Sequence, residues 1–297
     1  MGVVSGALLP SRRRVLGRVR EALSGAPMLA VGILTTLVFV AVFAPLVAPH
    51  DPLRPVPGVG LLAPPVWQGG SWSTPLGTDF QGRDVLSRVI YGARVSLTVG
   101  VVGTVVAGFI GLVFGVVAGY LGGWVDQLAM RVIDAWLALP SLIFAVFVAL
   151  VMRPSQWTIV VILGLVYWTR YARVIRGEVL SLRERDFVRL AEVAGASRWR
   201  IMRRHIVPNI LNTWMVLASL TVGVVIILEA SLSFLGLGIP APTPAWGSMV
   251  ADARALVFAG QWWHVAAPGV LIAATVFATN MLGDWLRVRL DPKQRNL

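Results

Sequence analysis

The chain contains no cysteine. Disulfides, thiolate metal ligands and cysteine nucleophiles are therefore excluded. It has a single lysine, Lys293, close to the C-terminal end. A phosphate loop of the form GxxxxGK[ST] places its lysine on the phosphates, so this chain holds no nucleotide in that way. The three histidines, His50, His205 and His264, stand far apart. There is no HExxH for zinc hydrolysis and no GxSxG for an elbow serine. Nothing points to an enzyme, a metal or a cofactor. Charge is also scarce: only 13% of residues are charged, against about 25% in a soluble domain.

What the sequence does have is apolar surface. Hydrophobic residues make up 57% of the 297, and the mean hydropathy is +0.76. That composition describes a membrane protein. The net charge of +12 raises the question of nucleic acid. The basic residues alternate with apolar runs instead of covering a soluble face, so they read as membrane topology signals and not as a nucleic-acid surface.

About 20 apolar residues in a helix cross a hydrocarbon core of roughly 30 Å. Six runs qualify: Met28–Val47, Val95–Tyr120, Ala135–Met152, Thr158–Val174, Leu211–Leu235 and Val265–Leu282. The first is too long for a signal-peptide core and is followed by Pro49, so an uncleaved span is expected. With the N-terminus in the cytoplasm, 20 of the 26 basic residues fall inside and 6 outside. Both termini are then cytoplasmic.

The carboxylates and glycines within these runs leave alternatives open. Glu229 interrupts the fifth run. An acid in lipid is costly and often marks a pathway or gate, or it is a carboxyl hydrogen-bonded within the bundle. Asp134 and Asp284 fall near the inner ends of their runs and read as interfacial charges. Gly111, Gly115 and Gly119 share one helix face. That face suits close packing within the chain, or a contact between subunits.

Two outside segments carry polar patterns. Thr78 to Gln81 fits a capping box at a helix start, and Asp84 and Arg88 are spaced to pair on that helix. An interfacial helix leading into the second span is expected, or a docking surface for an external partner. The segment after the fifth run has Pro240, Pro242, Pro244 and Pro268, with Trp246, Trp262 and Trp263 suited to the water–lipid interface.

Between the fourth and fifth runs lies RLAEVAGASRWRIMRRHIVPNI, from Arg189 to Ile210. Five arginines and one acid, Glu192, surround Gly195. Two short helices joined near Gly195-Ala196-Ser197 are expected, with Pro208 opening the next span. Physics alone leaves two uses for such a loop: attraction to an anionic leaflet, or docking of a cytoplasmic protein.

The segment resembles the EAA loop of ABC-importer permeases. That pattern is Glu-Ala-Ala, three residues, Gly, nine residues, then Ile-x-Leu-Pro. The spacing places Arg189-Leu190-Ala191, Gly195 and His205-Ile206-Val207-Pro208 on it. Ala191, Gly195 and Pro208 match. Arg189 and Leu190 depart from Glu and Ala, and His205 and Val207 from Ile and Leu. The stretches PLGTDFQGRDVLSRVIYGARVSL, AGYLGGWVDQLAMRVIDAWLALPSL, RGEVLSLRERDFVRLAEVAGAS, EASLSFLGLGIPAPTPAWGSM and LGDWLRVRLDP extend the likeness across about residues 75 to 292. Together they are similar to the C-type permeases of dipeptide, oligopeptide and nickel importers.

The resemblance implies an all-α polytopic fold with six transmembrane helices and a cytoplasmic coupling helix. It divides the chain into a cytoplasmic segment 1–27, a first helix 28–47, an extracytoplasmic segment 48–94, a permease core 95–286 with its coupling loop at 175–210, and a tail 287–297. It implies import driven by two cytoplasmic ATP-binding subunits. A second, homologous permease and an extracytoplasmic substrate-binding protein complete the assembly, which sits in a prokaryotic cytoplasmic membrane among its lipids. Peptides are the leading cargo, with nickel or another small solute as the alternative. A self-contained channel or carrier is a further rival. Arg189, Ala191, Glu192, Gly195, Ala196 and Ser197 are the expected ATPase-coupling residues, and Glu229 a pathway or gate residue.

Overall fold

The computed structural model describes residues 25–290. The arginines at 12, 13, 14, 18 and 20, with Lys293 and Arg295, lie outside the described residues. Among the described residues the secondary structure is helical, apart from one isolated bridge between Thr78 and Asp84. The elements are α1 (Met28–Val42), α2 (Ala44–Val47), α3 (Val85–Leu121), α4 (Gly123–Leu137), α5 (Ser141–Val151), α6 (Gln156–Leu182), α7 (Asp186–Val193), α8 (Arg198–Ile201), α9 (Val207–Phe234), α10 (Trp246–Ala253) and α11 (Trp263–Leu290).

Four helical stretches are long and apolar enough to cross a membrane: α3, α6, Arg198–Phe234 and α11. The α4–α5 pair makes a fifth if its two halves count as one span, although they bend by 85°. The run expected at Ala135–Met152 straddles this bend. Pro140 sits there as the N-cap of α5, where its missing N–H ends one helix before the next begins. The run expected at Met28–Val47 is likewise divided, into 15-residue α1 and four-residue α2, with Pro45 in the first turn of α2.

Helix α3 has 37 residues and so extends about 55 Å, well beyond the apolar core of a bilayer. It takes in the expected interfacial helix and the second span without a break. Its start differs from the Thr78 capping box. Asp84 is the N-cap, its carboxylate accepting the Ser87 N–H at 2.9 Å. Thr78 instead serves the preceding loop, accepting from the Ala63 N–H and donating to the Gly60 carbonyl. Arg88 does not pair with Asp84. Its Nε lies 3.4 Å from Asp79, which also holds Arg83 at 2.8 Å. This buried cluster, with the His264 ring against the Thr78 carbonyl at 3.0 Å, fastens the outer loop to the start of α11.

The glycine face of α3 packs within the chain. Gly111, Gly115 and Gly119 are buried, and a Cβ on each would collide with α6 at Tyr171, Ile175 and Val179 respectively. Small residues let the two backbones meet. The resulting core includes Ala107, Val116, Tyr171, Ile175 and Val179, together with Val188 of α7 and Ile201 of α8. A second cluster fills the other end, from Val99 and Leu163 to Val225 and Leu232. Trp246 is fully buried, contrary to the interfacial role expected of it. It lies over Gly92, and its indole donates to the Val89 carbonyl at 3.0 Å.

Candidate functional site

The segment between α6 and α9 forms two short helices joined at Gly195, as its composition suggested. Helix α7 ends in a Schellman motif. The Gly195 N–H donates to the Glu192 carbonyl at 2.9 Å, and the Ala196 N–H to the Ala191 carbonyl at 3.0 Å. This geometry needs a left-handed residue, and Gly195 supplies it with φ +77°. Ser197 then caps α8, its side chain accepting from the Arg200 N–H at 3.4 Å. A five-residue π-helical turn, Met202–Ile206, carries α8 directly into α9. Pro208 has no N–H for the carbonyl one turn back, and the turn before it widens.

The expected coupling residues divide by orientation. Ala191 and Ala196 turn inward and pack against the cluster that holds Val188 and Ile201. Arg189, Glu192, Gly195 and Ser197 are exposed. Arg189 pairs with Glu184 at 2.7 Å. That hydrogen bond holds the Glu184 carboxyl below the usual carboxylate range and raises the Arg189 guanidinium. Glu192 reaches the end of α3, where the Tyr120 hydroxyl donates to it at 2.9 Å.

The loop also presents exposed apolar residues, of which Leu190 takes the place of an alanine in the family pattern. Leu190, Val193 and Trp199 are 67%, 87% and 66% exposed. Helix α7 is apolar on more sides than the bundle can cover, since Val188 alone is buried in it. That excess was readable in the sequence, because a surface helix normally confines its apolar residues to one stripe. Arg200, Arg203 and Arg204 line a groove beside Trp199.

Glu229 lies in α9 and is 1% exposed. Its carboxylate accepts from Ser233, one turn further along the same helix, at 2.8 Å. Asp134 is exposed and pairs with Arg173 at 2.6 Å. Trp262 is 55% exposed, whereas Trp263 is buried. Among the described residues no group of three or more His, Asp or Glu side chains is placed to hold a metal ion.

The fold and the sequence have counterparts in known proteins. The di/tripeptide transport system permease protein DppC of Pseudomonas aeruginosa is 41% identical over 261 residues, covering 88% of this chain and 86% of the relative. The dipeptide transport system permease protein DppC of Escherichia coli K12 is 47% identical over 259 residues, covering 86% of this chain and 85% of the relative. The inward-facing MetNI methionine ABC transporter has a chain of similar fold, with a TM-score of 0.53 and 16% identity. The match covers 69% of this chain and 96% of that one. The family described as the binding-protein-dependent transport system inner membrane component matches residues 111–296, from the glycine face of α3 through the segment between α6 and α9 to the C-terminal tail. The chain belongs to that family of inner-membrane transport components.

Proposed function

We propose that the chain is a permease subunit of an ATP-driven peptide importer and forms half of its translocation pathway. The observation that carries the peptide reading is the 47% identity to a dipeptide permease, sustained over 86% of this chain. Two cytoplasmic ATP-binding subunits perform the hydrolysis, so this subunit is not itself an enzyme. A second permease completes the pore, and an external binding protein delivers the cargo. Both termini face the cytoplasm, in keeping with the arginine-rich loop between α6 and α9.

In this reading α7 and α8 couple ATP binding to the pore. Leu190, Val193 and Trp199 provide the apolar contact, with Arg189, Glu192, Gly195 and Ser197 around them. Ala191 and Ala196 hold the helix pair to the bundle from beneath. Because α8 runs into α9 through helical backbone, a push on the loop is transmitted along a pore helix without an intervening coil. Glu229 stands on that same helix, as a gate residue buried between packed elements.

The test is a pull-down from mild detergent followed by uptake in reconstituted vesicles. Recovery of a second permease and P-loop ATPases, with uptake of labelled dipeptide that needs ATP and the binding protein, is the expected result. Transport by the isolated chain without ATPase subunits would sink this reading.

A further inference from the structure

Helix α6 and the residue that caps its end carry four arginines, and three of them are neutralised within the chain. Arg173 pairs with Asp134, Arg176 with Asp126, and Arg183, just past the helix end, with Glu184. Arg170 makes no such pair among the described residues. It lines a groove of about 470 Å³ between α6, α9 and α11, at the end of the bundle that bears the coupling loop. Arg287 lines the same groove from the last turn of α11, and it too makes no ion pair among the described residues. Asn212 and Thr213 add an amide and a hydroxyl, while Val216 and Leu220, one and two turns further along α9, form an aliphatic wall.

Arg287 stands in the last turn of α11, and Asn212 and Thr213 near the start of α9, whereas Arg170 lies midway along α6. Val174, Leu217 and Leu290 join Val216 and Leu220, so aliphatic side chains from all three helices flank the two cations. That mixture suits an anionic amphiphile, with a phosphate between the guanidiniums and a chain along the aliphatic wall. A small polar solute has no use for the aliphatic half. Two uncompensated guanidiniums in one concavity also repel each other unless an anion joins them, and guanidinium forks match phosphate oxygens. We propose that this groove binds an anionic phospholipid, with Arg170 and Arg287 on the headgroup phosphate and the α9 wall against an acyl chain. The lipid then bridges α6, the helix feeding the coupling loop, to α9 and α11, and steadies the helix ends that the loop must move.

The experiment uses the chain in its purified complex, in nanodiscs of phosphatidylcholine doped with phosphatidylglycerol carrying a photoreactive acyl chain. Crosslinks are mapped by peptide mass spectrometry. Labelling is expected on the α9 stretch around Val216 and Leu220. The double variant R170Q/R287Q is expected to lose it roughly 25-fold, since near-surface arginines each contribute about a factor of five toward anionic lipid. The external variant R54Q keeps it. Undiminished labelling in an R170Q/R287Q complex of normal composition overturns the proposal. If that variant does not assemble, the wild-type complex decides the matter: a photoreactive phosphatidylcholine that labels α9 as strongly as the phosphatidylglycerol overturns it, and preference for phosphatidylglycerol supports it. Displacement of the label by a dipeptide with a free carboxylate, but not by its amide, assigns the arginines to cargo and also overturns it.

Discussion

The Tyr120 hydroxyl donates a 2.9 Å hydrogen bond to Glu192 across 72 residues of chain. It ties the last turn of the longest helix to the exposed face of α7. Glu192 is solvent-exposed, so the bond adds little to global stability, on the order of 0.5–1.5 kcal/mol. Its value lies in fixing the angle of the helix pair. Tyr120→Phe is expected to leave the melting temperature nearly unchanged and to lower ATP-driven uptake severalfold. Parallel thermal unfolding and vesicle uptake check this, and uptake equal to wild type would remove the bond from the coupling path.

Gly195 has open space around its missing side chain but a φ of +77°. Backbone strain, and not a clash, therefore limits substitution there. Gly195→Ala is expected to cost about 1 kcal/mol in the loop, and Gly195→Val more. Gly195→Asn is expected to be the best tolerated, because Asn enters the left-handed region most readily. All three proteins should reach the membrane. Uptake should rank wild type, Asn, Ala, Val, and any other order would show that shape at the surface matters more than backbone conformation.

Leu190 and Val193 bury little within the chain. Replacing either by Asp is therefore expected to change stability by no more than about 0.5 kcal/mol. Co-purification of ATPase subunits should nevertheless fall at least tenfold, because a carboxylate would be desolvated in an apolar contact. Quantitative pull-down at matched membrane levels is the measurement. Unchanged recovery of ATPase would place the contact elsewhere.

Gly111 and Gly269 offer an opposite pair. A Cβ on Gly111 would meet the α6 backbone, including the Trp168 carbonyl at 2.6 Å, whereas one on Gly269 meets nothing within 4 Å. Gly111→Ala is expected to push α3 from α6 and destabilise by about 1–3 kcal/mol. Gly269→Ala is expected to stabilise α11 by up to about 1 kcal/mol. Detergent-stability assays on both proteins compare them directly. Equal behaviour would mean that α3 and α6 can separate at no cost.

Much of this protein follows from composition and local pattern. Hydropathy places most of the apolar helices, because a span needs little more than length and the absence of charge. Gly195 and Ser197 mark where one loop helix ends and the next begins, since left-handed backbone and an N-cap oxygen are local requirements. What needed the tertiary structure is direction and partnership. The sequence around Thr78 satisfies a capping box, yet a nearby loop claims its hydroxyl and Asp84 caps the helix instead. Asp84 and Arg88 have the spacing of a pair, but Asp79 is nearer to the guanidinium. Trp246 looks interfacial until Gly92 of another helix opens a seat for it. A helix period tells which residues share a face. Only the packed neighbours decide whether that face is covered, as Ala191 is, or left outward, as Leu190 and Val193 are, because burial is a property of the whole bundle and not of the segment.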